Sequence, residues 1–413
     1  MRKLNFEKVF HWYMGFMSMV FCFAPKLIAI LLAVFAVLIG IGYVKKQLTF
    51  AFHRPNGWLA LLYVAYLIGI LFTNHPDIAA GYAENKLSFL VFPLLFSFKP
   101  NFQLRTHELL IGLVIGTSVA SLLGIWNGIQ LYQAGNSFLA SFTTSFISPI
   151  HHPSYFAMLL LIAAVGSIWA FRDMAKWFNS AWLIPYCIFA FIMFTLCMSL
   201  AGIVFLFILL TCFILRWIYL RFGKLRFYIV LVLSPLVFFA TLSNLPGINT
   251  DFQNTKRAVV TYVKDPVQFI QSKNGTISGN EARLVMWTVS VQEIAKHPFG
   301  VGTGNVDECL TKSLENYGLN ALAEKQYNPH NQFFQTTLEI GILGLLLLLF
   351  FLFSALKVAW KTKNKLLLLV IVTLIFNSLF ESMLQRQTGI VFYSFWICFL
   401  ILVSSTKNQT NRS

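Results

Sequence analysis

Hydrophobic positions along this chain gather into runs, and the polar positions fall between them. Apolar runs long enough, or nearly so, to cross about 30 Å of hydrocarbon occupy residues 11–24, 27–44, 58–73, 87–98, 109–131, 154–171, 182–197, 201–219, 227–243, 333–359, 365–380 and 389–405. The fourth is short and broken by Pro93. The seventh and eighth are separated only around Met198-Ser199-Leu200, and their fusion would invert the topology of everything downstream. Arg2, Lys3 and Lys8 followed by an apolar run imitate a signal peptide. No small-residue cleavage site follows and a second run starts at once, so the segment reads as a retained first helix. The pattern predicts an all-α membrane protein of about twelve transmembrane helices, divided into residues 1–243, a long polar segment 244–331, and residues 332–413.

Composition agrees: of 413 residues, 57% are hydrophobic and 11% charged, against roughly 25% charged in soluble domains. The net charge of +16 suggests a nucleic-acid partner until the charges are located. With the N-terminus in the cytoplasm, twenty of the 31 Lys and Arg residues fall in cytoplasmic segments and their flanks, and only three, Lys26, Lys86 and Arg386, in short outer loops. That bias is the positive-inside pattern and places both termini inside. Residues 244–331 then lie outside, with eight basic and eight acidic residues, so no nucleic-acid stripe exists there. Of the six cysteines, Cys22, Cys187, Cys197, Cys212 and Cys398 lie in apolar runs and leave Cys309 without a partner, so no disulfide is expected.

The candidate chemistry gathers at the outer face. Asn328-Pro329 reads as an N-cap with proline at the first helical position, which puts His330 and Asn331 in the first turn of the tenth span. A neutral histidine there is able to accept a proton; the bland reading is a polar cap. Residues 281–296 place Leu284, Trp287, Val291 and Ile294 at helical spacing, predicting an amphipathic helix stopped by Pro298 and Gly300 that lies along the membrane surface. On it, Arg283 offers a planar fork suited to a diphosphate, or is simply solvated. Lys86 and Arg386 are candidates for an anionic lipid carrier, or snorkelling anchors. Glu381 belongs to a dense polar cluster, 381–387, between two spans. Glu339, inside an apolar helix, reads as a structural partner. Gly300-Val-Gly302-Thr-Gly304 lacks the lysine of a phosphate-cradling loop and reads as a tight turn. His151-His152-Pro153 has no spaced partners for a metal and reads as a helix start. No Asp-x-Asp or Glu-x-Asp pair occurs to hold a metal at a diphosphate, so no metal and no cofactor are expected.

Three stretches now stand in order: Glu281-Ala282-Arg283 to Trp287, His297-Pro298-Phe299-Gly300-Val301-Gly302-Thr303-Gly304, and His330-Asn331-Gln332 to Glu339-Ile340-Gly341-Ile342-Leu343-Gly344. Together they resemble the core of the O-antigen ligase and O-antigen polymerase superfamily. Glu84 to Pro93, His152 to Phe156 and Glu381 to Phe392 are similar to its members too. The resemblance implies a GT-C-like integral-membrane glycosyltransferase. Such an enzyme takes a glycan from undecaprenyl diphosphate on the periplasmic face of the inner membrane, without a metal, and passes it to lipid A–core, to another repeat, or to a protein. It implies His330 as general base and Arg283 with Lys86 at the diphosphate, with Arg386 as a further cation and Asn331, Glu339 and Glu381 in support. One departure is Ser199-Leu200-Ala201-Gly202, where many members carry arginine at the position of Leu200. A ligase reading is preferred over polymerase because the single long loop precedes the histidine-bearing helix. A lipid-linked glycan transporter is the non-enzyme alternative; it would show internal repeats, and none is found.

Overall fold

A computed structural model describes residues 5–174, 180–244, 248–273, 277 and 279–410. Four of the cytoplasmic bases counted above, Arg2, Lys3, Lys176 and Arg412, fall outside these. Each of the twelve apolar runs carries a helix. Among the described residues seven helices are long and apolar enough to cross a membrane: Pro25–Val44, His107–Gln133, Pro153–Ala170, Leu200–Phe222, Lys224–Thr241, Gln332–Lys361 and Gln387–Thr406. Ala181–Leu196 and Lys365–Ser378 are apolar but shorter. Ser88–Leu95 has eight residues, a rise of about 12 Å, and is too short to cross by itself. The seventh and eighth runs do not fuse. Met198 takes φ +48°, and Ser199 caps the next helix by accepting from the Gly202 N–H at 3.2 Å. The all-α expectation needs one small correction: Leu48–Phe50 and Phe98–Pro100 pair antiparallel, Thr49 opposite Lys99.

The main core is the helix bundle, centred on Phe92, Phe96, Phe395, Trp396 and Phe399. Helix Phe6–Phe23 lies directly on His107–Gln133, where a Cβ on Gly112 would meet the Gly15 carbonyl. Small residues allow that approach where lipid offers no hydrophobic drive between helices. Leu200–Phe222 and Lys224–Asn244 instead present Phe213, Trp217, Leu220, Val232 and Val237 outward, as lipid-facing helices do.

Residues 244–331 are more than a loop. Ile248–Lys264, Pro266–Gln271, Gly279–Lys296, Val306–Asn316 and Asn320–Ala323 are helical, and they build a second core from Phe269, Ile270, Val285, Met286, Val289, Leu310 and Leu314, joined by Leu338 of the bundle. This corrects the expected surface stripe on residues 281–296. Val291 is 51% exposed while Ala282, Val285, Met286 and Val289 are buried, because the helix is packed among neighbours and not laid on lipid.

The two cores meet at a break in helix Gln332–Lys361, at Ile340 (φ −134°, ψ 18°) and Gly341 (φ 72°, ψ −171°). A Cβ on Gly341 would sit 2.5 Å from the Phe299 backbone, so only glycine fits. Breaking a helix inside a membrane frees backbone groups that must be bonded again. The turn after Lys296 does this. Val301 N–H donates to Leu338 O at 2.7 Å, Gly302 N–H to Glu339 O at 3.2 Å, and Ile342 N–H reaches Pro298 O at 3.0 Å. Gly300, Gly302 and Gly304 all have positive φ, as expected of a tight turn. Thr303 then ties the turn to helix Arg54–Ile70, its hydroxyl donating to Tyr66 O at 2.9 Å.

Beside the break lies a closed ion pair. Lys86 Nζ is 3.1 Å from Glu339 Oε2, with side chains 0% and 1% exposed. Gln335 donates to Glu339 at 2.6 Å, and Lys86 also donates to Gln385 Oε1 at 2.9 Å over the Tyr66 and Tyr82 rings. Removing one partner strands a buried charge at a cost of about 3–5 kcal/mol, whereas removing both costs far less. Lys86→Met or Glu339→Gln alone should therefore lower the melting temperature and yield of monodisperse protein in detergent, and the double variant should recover much of both. A single variant that melts with the wild type would show that the pair stabilises nothing.

Candidate functional site

The polar face of the bundle is assembled from three segments far apart in sequence. The first is helix Gly279–Lys296, which brings Arg283. The second is the turn before Gln332, and it holds His330. Asn331, not Asn328, caps this helix: its Oδ1 accepts from the Phe333 and Phe334 N–H groups at 2.9 and 3.1 Å. The proline signal misled because Asn328 spends its side chain on a local turn, accepting from the His330 N–H at 2.9 Å. His330 therefore stands outside the helix at φ +48°, an uncommon conformation that persists only where the surroundings enforce it. Trp287 Nε1–H donates to its carbonyl at 3.4 Å, and the Tyr327 ring meets its imidazole edge-on at 5.6 Å.

The third segment is the link between Lys365–Ser378 and Gln387–Thr410, which brings Glu381. Its path is fixed by polar contacts from the histidine-bearing helix. Gln332 Oε1 accepts from the Leu384 N–H at 2.6 Å, Asn331 donates to Leu379 O at 3.1 Å, and the Ser382 hydroxyl reaches Asn328 Oδ1 at 3.3 Å. From helix Pro153–Met174, the Tyr155 hydroxyl donates to Ser382 O at 3.0 Å.

Glu381 stands at the centre. One carboxylate oxygen accepts from Arg283 Nη2 at 2.8 Å and the other faces His330 Nδ1 at 3.2 Å. Burial alone would raise its pKa. The His330 hydrogen bond and the charges of His330 and Arg283 outweigh burial and hold it down from 4.5 to about 2. An ionised carboxylate only accepts, so Nδ1 must be the donor. When the imidazole is neutral its lone pair is then on Nε2, with the ring 20% exposed. A carboxylate that fixes a histidine tautomer in this way leaves the far nitrogen poised to take a proton.

Of the expected site residues, the structure gathers Arg283, His330, Asn331 and Glu381. Arg386 is exposed on the same link, and its guanidinium acts electrostatically on the nearby His152. Lys86 is engaged elsewhere. It is held by Glu339 as described, with its charge balanced. Glu339 is likewise the partner of Lys86 and not of His330. His152, read only as a helix start, belongs to the neighbourhood. Burial pushes its pKa down, and Glu381, Arg386, Arg283 and His330 all act on it. Its position directly before Pro153 carried no signal for this, since the contacts are made across the fold. Leu200 opens a helix whose cap, Ser199, touches the Ser154 hydroxyl at 3.4 Å.

No curated protein matches the chain. Residues 185–349, which include Arg283, His330 and the break at Ile340–Gly341 but not Glu381, match the family model described as O-antigen ligase. That match spans about two fifths of the chain and supports membership of the O-antigen ligase/polymerase superfamily, with which the all-α, membrane-type helices agree.

Proposed function

We propose that the chain is a glycosyltransferase that moves a glycan from an undecaprenyl-diphosphate carrier to an acceptor hydroxyl on the periplasmic face of the inner membrane. The ligase reading takes lipid A–core as acceptor; a polymerase or a protein O-oligosaccharyltransferase would use the same chemistry. The observation that carries the proposal is the Arg283–Glu381–His330 chain. His330 Nε2 takes the acceptor proton as the acceptor oxygen attacks the anomeric carbon. The bond from that carbon to the carrier oxygen breaks, and the diphosphate leaves with the electron pair. A positioned base contributes about 10²–10⁴-fold. Arg283, 30% exposed, and Arg386 supply the positive charge that a leaving diphosphate needs, with no metal at the reacting atoms. Leu200 brings no charge, which leaves more of it to Arg386. Lys86 is assigned here to anchoring through Glu339 and not to the diphosphate.

We infer a topology of twelve passes, the fourth made by Ser88–Leu95 together with the chain on either side of it, which returns Phe98–Pro100 to pair with Leu48–Phe50, with residues 244–331 on the periplasmic side and both termini in the cytoplasm. Support comes from the charge bias, the separate helices on either side of Met198, and the gathering of polar chemistry at one end of the bundle. Ser278, a natural labelling position in that segment, lies outside the described residues. Lys312 is well exposed and serves instead. In a chain stripped of native cysteines, Lys312→Cys should react with an impermeant maleimide on intact spheroplasts, and Lys363→Cys only after permeabilisation. The reverse pattern would overturn the topology.

Given an acceptor hydroxyl, the purified protein should consume glycan-linked undecaprenyl diphosphate, form the acceptor-linked glycan and release undecaprenyl diphosphate without any ion gradient, which a transporter would not do. Arg283→Ala should weaken donor binding and lower turnover. Arg283→Lys should restore only part of each, because the planar fork that grips a carboxylate or a phosphate is lost. Full activity in Arg283→Lys would mean that a point charge suffices and that the clamp on Glu381 is irrelevant.

A further inference from the structure

The turn that stitches the broken helix is flanked by two helices whose facing ends hold unused chemistry. Glu293 and His297 stand four residues apart at the end of helix Gly279–Lys296, and Cys309 projects from helix Val306–Asn316. Their ligand atoms lie within 4.8 Å of one another. Cys309 Sγ is 3.4 Å from Glu293 Oε2, and His297 Nε2 is 3.8 Å from the same oxygen. We propose that Glu293, His297 and Cys309 form a binding site for a divalent cation of zinc type, with water as the fourth ligand.

The geometry supports this beyond mere proximity. Zinc bonds of about 2.0–2.3 Å in a tetrahedron put neighbouring ligand atoms about 3.4–3.6 Å apart. Two of the three separations are already within a few tenths of an ångström of that range. Glu293 is oriented for the task. Its other oxygen accepts from Ser313 at 2.7 Å and Lys296 at 2.6 Å, the kind of outer partner that fixes a ligating carboxylate. Its Oε2 is left towards the thiol and the imidazole. His297 is half-exposed, so a cation reaches the site from solvent and the water ligand has room. Thiolate, imidazole and carboxylate together suit a borderline-soft ion better than magnesium or calcium. On binding, Cys309 gives up its thiol proton to solvent and forms the metal–sulfur bond.

The consequence follows from position. The cation would bridge the two legs of the 298–308 turn, whose backbone satisfies the broken helix. Glu293 lies ten residues, about 15 Å along helix Gly279–Lys296, beyond Arg283, so the cation is structural and takes no part in glycan transfer.

The test uses the full-length purified protein, stripped with chelator and titrated with Co²⁺ and then Zn²⁺. About one Co²⁺ per chain should bind with the visible absorption of a tetrahedral site and a thiolate-to-cobalt band, and Zn²⁺ should displace it and raise the melting temperature. Cys309→Ala should lose the thiolate band and about nine-tenths of the bound metal, and the surface variant His297→Gln should weaken binding at least about tenfold. His297→Gln decides alone if Cys309→Ala fails to fold. Absence of stoichiometric metal in the wild type, or uptake by His297→Gln equal to the wild type, would overturn the proposal and leave Cys309 as a hydrogen-bond donor to Glu293.

Discussion

The structure depends on a helix that is broken on purpose. At Ile340–Gly341 the chain of helix Gln332–Lys361 turns away from helical geometry, and the membrane supplies no water to satisfy the backbone groups this frees. The turn after Lys296 supplies them, with Val301 and Gly302 donating to the carbonyls of Leu338 and Glu339. The segment before the break and the bundle thus become one folded unit. The same contact sets the direction of the short half-helix 332–339, and with it the turn that presents His330. Glu339, one residue before the break, closes on Lys86, and Lys86 in turn holds Gln385 on the link that carries Glu381 and Arg386. Backbone repair and buried ion pair therefore act on the same two strips of chain.

Electrostatics then decides what the site is able to do. A histidine at a membrane surface is only a polar side chain until something fixes its tautomer. Here Glu381 does, and it does so because Arg283 occupies its other oxygen. Arg283 consequently has two claims on it. On the proposed mechanism its bond to Glu381 orients the base, and its exposed part offers positive charge to an anionic leaving group. The glycan-transfer reading asks for both.

Much of the architecture was legible from sequence because lipid enforces it. Apolar runs such as 109–131 and 389–405 had to be helices, whereas the break around Met198-Ser199-Leu200 showed only as one polar residue, Ser199, in an apolar stretch, and the fold settled that the two runs stay separate. His330, Arg283 and the glycine turn were legible from residue type. What the sequence hid were contacts between distant residues and competition between local signals. Lys86 and Glu339 are 253 positions apart, and nothing in either neighbourhood names the other. Asn328 and Asn331 both carry cap chemistry, and only the fold shows that Asn328 is spent on the turn. Val291 fitted the helical stripe by period, yet it faces out because a second core beneath Met286 and Val289 made the whole helix a packed element. Cys309 looked solitary until helix Val306–Asn316 folded back against Glu293.

The central claim is that His330 is the base, poised by Glu381. It is tested most directly by single-turnover transfer with purified His330→Ala, measured beside donor binding in the same preparation. The account predicts transfer reduced about 10²–10⁴-fold with donor binding close to wild type. Transfer at more than about a tenth of the wild-type rate, below the effect expected of a positioned base, would contradict it and leave His330 as a residue that merely shapes the turn.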